Sequence, residues 1–304
     1  MLFQGWSCFK DGLGGKPFPG HPYHPSNNIQ KINGDPKSDK GPDLNYQPVR
    51  DLQAAYIRKV IDTINEMDNV LYEVTNEGGN KDWDWWVVNF VHEYEKTKPK
   101  QHPVGLTGHG SESNTDLLAS PADWISPGAN EWPELRTDPR VVDGKKVSLL
   151  DTDHVFGVGG DQQWVWKGFL RGHNVLFMDP YDDPQWTGIL EGQGVGTKHV
   201  VAARRAMGHA RRFAARMDLA SVSPQPGLAS SGYCLANPGV EYLVYQPKSG
   251  EALSVDLKPG KYRCEWFNPA NGTSLKLKKV EVQGTAQQFL APFEGDSVLY
   301  LKAD

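Results

Sequence analysis

The texture of this chain changes once, near residue 220, and that change limits the fold more than any other feature. Before it, short apolar runs alternate with longer stretches whose apolar residues recur every three or four positions, the pattern of strands trading with helices. Val49 to Met67 reads as a helix with Leu52, Ala55, Tyr56, Val60, Ile61 and Ile64 on one side, and Asp82 to Lys96 and Thr197 to Leu219 read as two more. Strand-like runs stand at Val70 to Thr75, His102 to Thr107, Asp123 to Ser126, Lys146 to Asp151 and Asn174 to Met178, with Leu2-Phe3 as the remnant of another. This βαβα order implies a parallel sheet in an α/β unit over residues 1–219. From Ser221 onward the runs are short, alternating and set off by turn sequences: Gly232 to Ala236, Glu241 to Gln246, Ala252 to Leu257, Lys261 to Phe267, Ser274 to Val282, Ala286 to Leu290 and Ser297 to Lys302. They predict an antiparallel β-sandwich over residues 220–304.

Composition removes several classes of function. The 304 residues carry a net charge of -5, so nothing suggests a nucleic-acid or other polyanion partner. Arg204, Arg205, Arg211, Arg212 and Arg216 flank an apolar stripe of Val200, Val201, Met207, Ala210, Phe213 and Met217, which is the solvated side of a packed helix. No run approaches the roughly 18 to 20 apolar residues needed to span a bilayer, so no membrane partner is expected, and no secretory signal is visible at the start. The cellular location is left open. Cys8, Cys234 and Cys264 are odd in number and widely spaced, giving neither a metal knuckle nor a disulfide framework; Cys234 and Cys264 are able to pair within the C-terminal region but read as small buried apolar residues. His21 and His24 share a Pro-rich loop without ligand spacing, and Lys31 to Asp43 lacks the twelfth-position Glu of a calcium loop, so neither metal nor cofactor is expected. Asn271-Gly-Thr273 is a formal glycosylation sequon that reads as a turn. Ten tryptophans and eleven tyrosines suit the C–H faces of sugars as well as cores.

The first strand with a chemical ending is Asn69-Val-Leu-Tyr-Glu-Val-Thr-Asn76-Glu77-Gly-Gly. It leaves a carboxyl group at a strand's carboxyl end beside a flexible loop, where parallel α/β proteins do chemistry. The competing reading is an Asn-Glu pair that only caps the next helix. Three strands later comes Asp151-Thr-Asp153-His154. With period-two alternation continued through this run, Asp151 and Asp153 face the same side of the strand.

This layout resembles the retaining glycoside hydrolases of the (β/α)8 clan, in which an acid/base follows strand four and a nucleophile follows strand seven. Leu-Leu-Asp-Thr-Asp-His, Trp164-Val-Trp166-Lys and Arg171-Gly-His-Asn-Val-Leu-Phe-Met-Asp179-Pro-Tyr are similar to its apiosidase-like, collagenase-named branch, and the tail to the sandwich domain with a collagen-binding name that usually follows it. That name is not carried over as a function. The resemblance implies a (β/α)8-like TIM barrel followed by a β-sandwich, with Glu77 as acid/base, Asp153 or Asp151 as nucleophile with Asp153 favoured, and Glu131 in reserve. Asn76 is the expected partner of the sugar 2-hydroxyl, and Trp6, Trp132 and Trp186 are stacking surfaces. His24, Asn27, Asn28, His109, His154 and Asp179 are further candidates for hydroxyl contacts. The implied activity is hydrolysis of β-glycosides of oligo- or polysaccharides, of the β-galactosidase or β-glucosidase kind. A non-catalytic carbohydrate-binding or scaffold protein is the alternative. If Leu2-Phe3 belongs to strand three, the first two β/α units are missing and about 220 residues fall short of the roughly 250 of a full barrel. An incomplete barrel leaves strand edges open, which predicts a homo-oligomer.

Overall fold

The computed structural model describes residues 1–3, 18–36, 46–75, 80–108, 113–156, 159–178, 198–284 and 286–304. The chain forms two compact units, Met1–Glu131 and Trp132–Asp304. No helix among the described residues is long and apolar enough to cross a membrane.

The first unit alternates helices with parallel strands. Helix α1 (Gln47–Ile64) leads to β1 (Tyr72–Glu73), α2 (Lys81–Glu95) to β2 (Val104–Thr107), and α3 (Asn114–Ala119) to β3 (Trp124–Ser126). The three strands pair in chain order, Tyr72 opposite Val104 and Gly105 opposite Trp124, all parallel. Leu2 and Phe3 extend this sheet: their amides donate to the Glu73 and Val74 carbonyls at 2.7 and 3.0 Å, and Phe3 bridges Thr75 in parallel. The expected strand remnant is therefore paired.

Helix α1 is rotated from its sequence reading. Val49, Gln53, Ala54, Ile57 and Ile61 are buried, whereas Ala55 and Tyr56 are exposed and Leu52, Val60 and Ile64 only half-buried. Gln53 is the cause. The Trp83 indole donates to its side-chain oxygen at 3.0 Å, so a polar residue joins the buried stripe once its hydrogen bond is met. The core behind it holds Ile57, Ile61, Val74, Trp83, Val87 and Val104.

After a short 3-10 helix, Pro133–Arg136, the second unit holds β4 (Val147–Asp151), the single helical turn α4 (Thr152–Val155), α5 (Gln162–Leu170) and β5 (His173–Leu176), followed by α6 (Lys198–Ala214). β4 and β5 are parallel, with Asp151 opposite Leu176. Among the described residues nine short strands follow: β6 (Ser223–Pro224), β7 (Cys234–Asn237), β8 (Glu241–Gln246), β9 (Leu253–Asp256), β10 (Gly260–Phe267), β11 (Ser274–Lys276), β12 (Val280–Val282), β13 (Ala286–Phe289) and β14 (Ser297–Ala303). Seven form an antiparallel sheet in the order β11-β10-β14-β8-β7-β6 with β12 also on β10, and β9 pairs with β13 in a second layer. Tyr242, Val244, Tyr262, Trp266 and Leu299 of the large sheet meet Leu253, Val255 and Phe289 of the small one.

The run expected as one strand from Ser274 to Val282 is two, because β11 pairs with the second half of β10 and β12 with the first. Cys234 and Cys264 are buried free thiols in this core. Asn271 acts in a turn: its side-chain oxygen accepts from the Thr273 amide at 2.9 Å beside Gly272, whose φ is 76°. On the outer face of the large sheet, Trp166 of α5 stacks on Tyr245 and Phe213 of α6 meets Phe267 and Tyr300 edge-on.

Candidate active site

β4 ends at Asp151, and the backbone turns at once. Asp151 is extended (φ -91°, ψ 126°) and its Oδ1 accepts from the Asp153 amide at 2.9 Å, so it is the N-cap of α4. This corrects the reading that Asp151 and Asp153 share one side of a continuing strand. An aspartate before a polar residue favours a cap over further extension, because its short carboxylate satisfies an amide the helix leaves unpaired. Asp153 lies in the first turn of α4, and both aspartates are half-exposed. Thr152 between them is buried, and its hydroxyl accepts from the Met178 amide at 2.7 Å, fastening the segment after β5 to the turn after β4. Sequence reasoning passed over Thr152; its signal was its position, flanked by the two carboxylates. His154 is buried in the same turn.

Past the end of α4, a groove of about 420 Å3 is lined by Phe156, Asp161, Gln163, Trp164 and Lys167 with Arg136. Phe156 and Trp164 meet edge-to-face with centroids 5.5 Å apart, giving the groove an aromatic wall. Trp132 precedes a short 3-10 helix, Pro133–Arg136, and the Arg140 guanidinium lies 4.0 Å from its ring centroid, so one ring face is already covered.

In the first unit, Glu131 accepts from the Asn114 amide and, at 3.3 Å, from the Thr115 hydroxyl, at the amino end of α3. Asn114 pairs through its side chain with Gly128, donating to the carbonyl at 2.8 Å and accepting from the amide at 2.9 Å. The loop after β3 is thereby stitched to α3, a helix that the sequence reading omitted. Its signal is Ser113, whose side chain caps the Asp116 amide. The cap of α2 is Asn80, whose side chain accepts from the Trp83 amide at 3.1 Å.

His24 and Asn28 organise their own loop. His24 Nδ1 is 2.6 Å from the Ser26 hydroxyl, and the Asn28 amide donates to the carbonyls of His24 and Ile32 at 2.8 and 2.9 Å. Asn27 does likewise toward Pro19 and His21. Asn76, Glu77, Trp6, His109, Asp179 and Trp186 lie outside the described residues. Among the described residues no three His, Cys, Asp or Glu side chains gather as a metal set.

No family model matches the sequence, and no curated protein matches it. Solved structures do match by shape. A protein described as a glycoside hydrolase superposes with a TM-score of 0.59 over 98% of this chain and 79% of its own, at 13% identity. A glycoside hydrolase family 5 protein from Bacteroides vulgatus does so with a TM-score of 0.57 over 84% of this chain and 68% of its own, at 12% identity. At such identity the likeness is one of fold: this chain is built as those two are.

Proposed function

We propose that this chain is a retaining glycoside hydrolase that cleaves β-glycosidic bonds of plant or microbial glycans. The observation that carries the reading is the pair Asp151 and Asp153 at the carboxyl end of a parallel strand, in a chain that shares its fold with two glycoside hydrolases. Such ends are where barrel enzymes hold their reacting groups. Glu77, in its protonated form, gives its proton to the leaving oxygen while the Asp153 carboxylate attacks the anomeric carbon, forming a glycosyl ester. Water then gives a proton to the Glu77 carboxylate and displaces Asp153, so that configuration is retained. Asp151 has the supporting task of fixing the turn that carries Asp153, and Asn76 binds the sugar 2-hydroxyl. The reading includes a (β/α) barrel unit over residues 1–219, a sandwich domain over residues 220–304, and a homo-oligomer.

A panel of nitrophenyl galactoside, glucoside, xyloside and apioside tests the activity. Asp153→Asn and Glu77→Gln should each lower turnover by at least about a thousandfold, in keeping with a lost covalent or proton-transfer step. Asp151→Asn keeps an oxygen able to cap α4 and should cost far less. Azide should restore turnover to Asp153→Ala and yield a glycosyl azide. If no glycoside or polysaccharide is cleaved while sugars still bind, the alternative of a binding or scaffold protein takes over. A mass by light scattering that stays monomeric at all concentrations removes the oligomer.

A further inference from the structure

The large sheet of the second unit has two faces with unlike neighbours. Tyr242, Tyr262, Cys264 and Leu301 point into the sandwich core, so alternation sends Glu241, Arg263, Glu265, Tyr300 and Lys302 to the outer face. Trp166 and Phe213 cover that outer face around Tyr245, Phe267 and Tyr300. Beyond their reach lies a groove of about 520 Å3 lined by Arg216, Arg263, Glu265, Lys276, Lys279 and Lys302.

Its charge pattern is costly to the sheet. Arg263 and Lys302 stand directly opposite each other across β10 and β14, and like charges so placed destabilise a strand pair. The nearby carboxylates are already engaged. Glu265 accepts from Arg216 at 2.8 and 3.1 Å and from Ser274 at 2.8 Å. Asp304 is shared by Lys279 at 2.8 Å and Arg263 at 3.4 Å. Buried Glu241 accepts from the Tyr300 hydroxyl at 2.8 Å and the Asp218 amide at 2.9 Å, with Lys302 3.8 Å away. The five cations exceed these three carboxylates in a chain whose net charge is -5. A sheet that keeps a destabilising pair on an open face points to a ligand that relieves it.

We propose that this groove is a second glycan site, one that takes the carboxylates of a uronic-acid-bearing polysaccharide. Lys302, Arg263 and Lys276 belong to three neighbouring strands, β14, β10 and β11, which sheet geometry spaces about 4.8 Å apart. Lys276 stands opposite Glu265, two residues along β10 from Arg263, so the cations form a staggered line across the strands, suited to a polymer with a carboxylate on successive sugars rather than to one small anion. Arg and Lys bind carboxylates through short charge-assisted hydrogen bonds. The choice of a glycan over a nucleic acid rests on the hydrolase reading above, because the net negative charge opposes long-range attraction of either polyanion and leaves binding to the local cations of the groove.

Binding of the full chain to polygalacturonate, to the same polymer methyl-esterified, and to duplex DNA tests the site. Polygalacturonate should bind at least about tenfold tighter than its ester, a difference of about 1.4 kcal/mol, and should weaken as salt rises. Lys276→Ser and Arg263→Gln should each weaken binding about three- to tenfold, with turnover on a neutral nitrophenyl glycoside unchanged and with no fall in the melting temperature of Arg263→Gln, which removes the opposed pair. Equal binding to the polymer and its ester, DNA held as tightly as polygalacturonate, or unaltered binding in both variants overturns the proposal. Binding to polygalacturonate in a protein that cleaves no glycoside sinks the hydrolase reading and leaves the groove standing; cleavage without such binding does the reverse.

Discussion

Two buried histidines show how neighbours decide protonation. His102 has both ring nitrogens against acceptors, Nδ1 2.7 Å from Glu95 Oε1 and Nε2 2.7 Å from the Met67 carbonyl. Only the doubly protonated ring donates to both. Burial works to lower its pKa, but the bonds to Glu95 and Met67 outweigh it and the pKa stands above its ordinary value of 6.5. His173 has a donor and an acceptor instead, the Ser148 hydroxyl at 2.9 Å and the Arg140 carbonyl at 2.8 Å. Burial pushes it down to about 4. The signs follow from linkage. The folded state binds the His102 proton more tightly than the unfolded state, so its stabilisation is complete below pH 6.5 and fades as pH rises through the raised value. The His173 contribution is present above pH 6.5 and fades as pH falls toward about 4. Urea unfolding across this range should show His102→Gln flattening the alkaline slope and His173→Gln the acid slope. A stability loss in either variant that stays constant with pH contradicts the assignment.

At the scale of elements, the strand order and the switch to antiparallel strands were legible because periods of two and of three to four differ over even short windows. What the sequence hid were places where a polar side chain meets a specific partner. Gln53 belongs to the buried side of α1 through Trp83, Asp151 ends β4 by capping α4, and β11 and β12 split because β10 is long enough to serve both. Of the candidate site, the aspartates are proposed from their position at a strand end, while the Thr152 and Asn114 ties needed coordinates because their partners lie 26 and 14 residues away in sequence. Close approach of strands is another such hidden constraint. A Cβ on Gly105 would lie 1.9 Å from the Trp124 indole on the neighbouring strand, far inside any contact distance. Gly105→Ala should therefore destabilise by roughly 3 kcal/mol or more, the upper end of overpacking costs, measured by urea unfolding. Trp124→Leu should recover part of the loss when combined with it. A single-variant cost under about 1 kcal/mol would mean that the indole has room to move aside.

Across the second unit, helices and sandwich share one set of aromatic contacts. Trp166 is fully buried and Phe213 nearly so, both against the large sheet. Asp296 adds a polar tie, accepting from Gln162 of α5 at 2.8 and 3.0 Å and from the Tyr245 hydroxyl at 2.7 Å. A chain stopped at Leu219 would leave these rings in water, at about 25 cal/mol for each Å2 of apolar surface uncovered. Expressed alone, residues 1–219 should aggregate or bind hydrophobic dyes; expressed together, 1–219 and 220–304 should copurify. A monomeric, cooperatively melting 1–219 fragment would contradict this. The shared aromatic layer also bears on protein engineering. Anyone grafting the sandwich onto another scaffold as a fusion partner must transplant α5 and α6 with it, or resurface the face they leave bare.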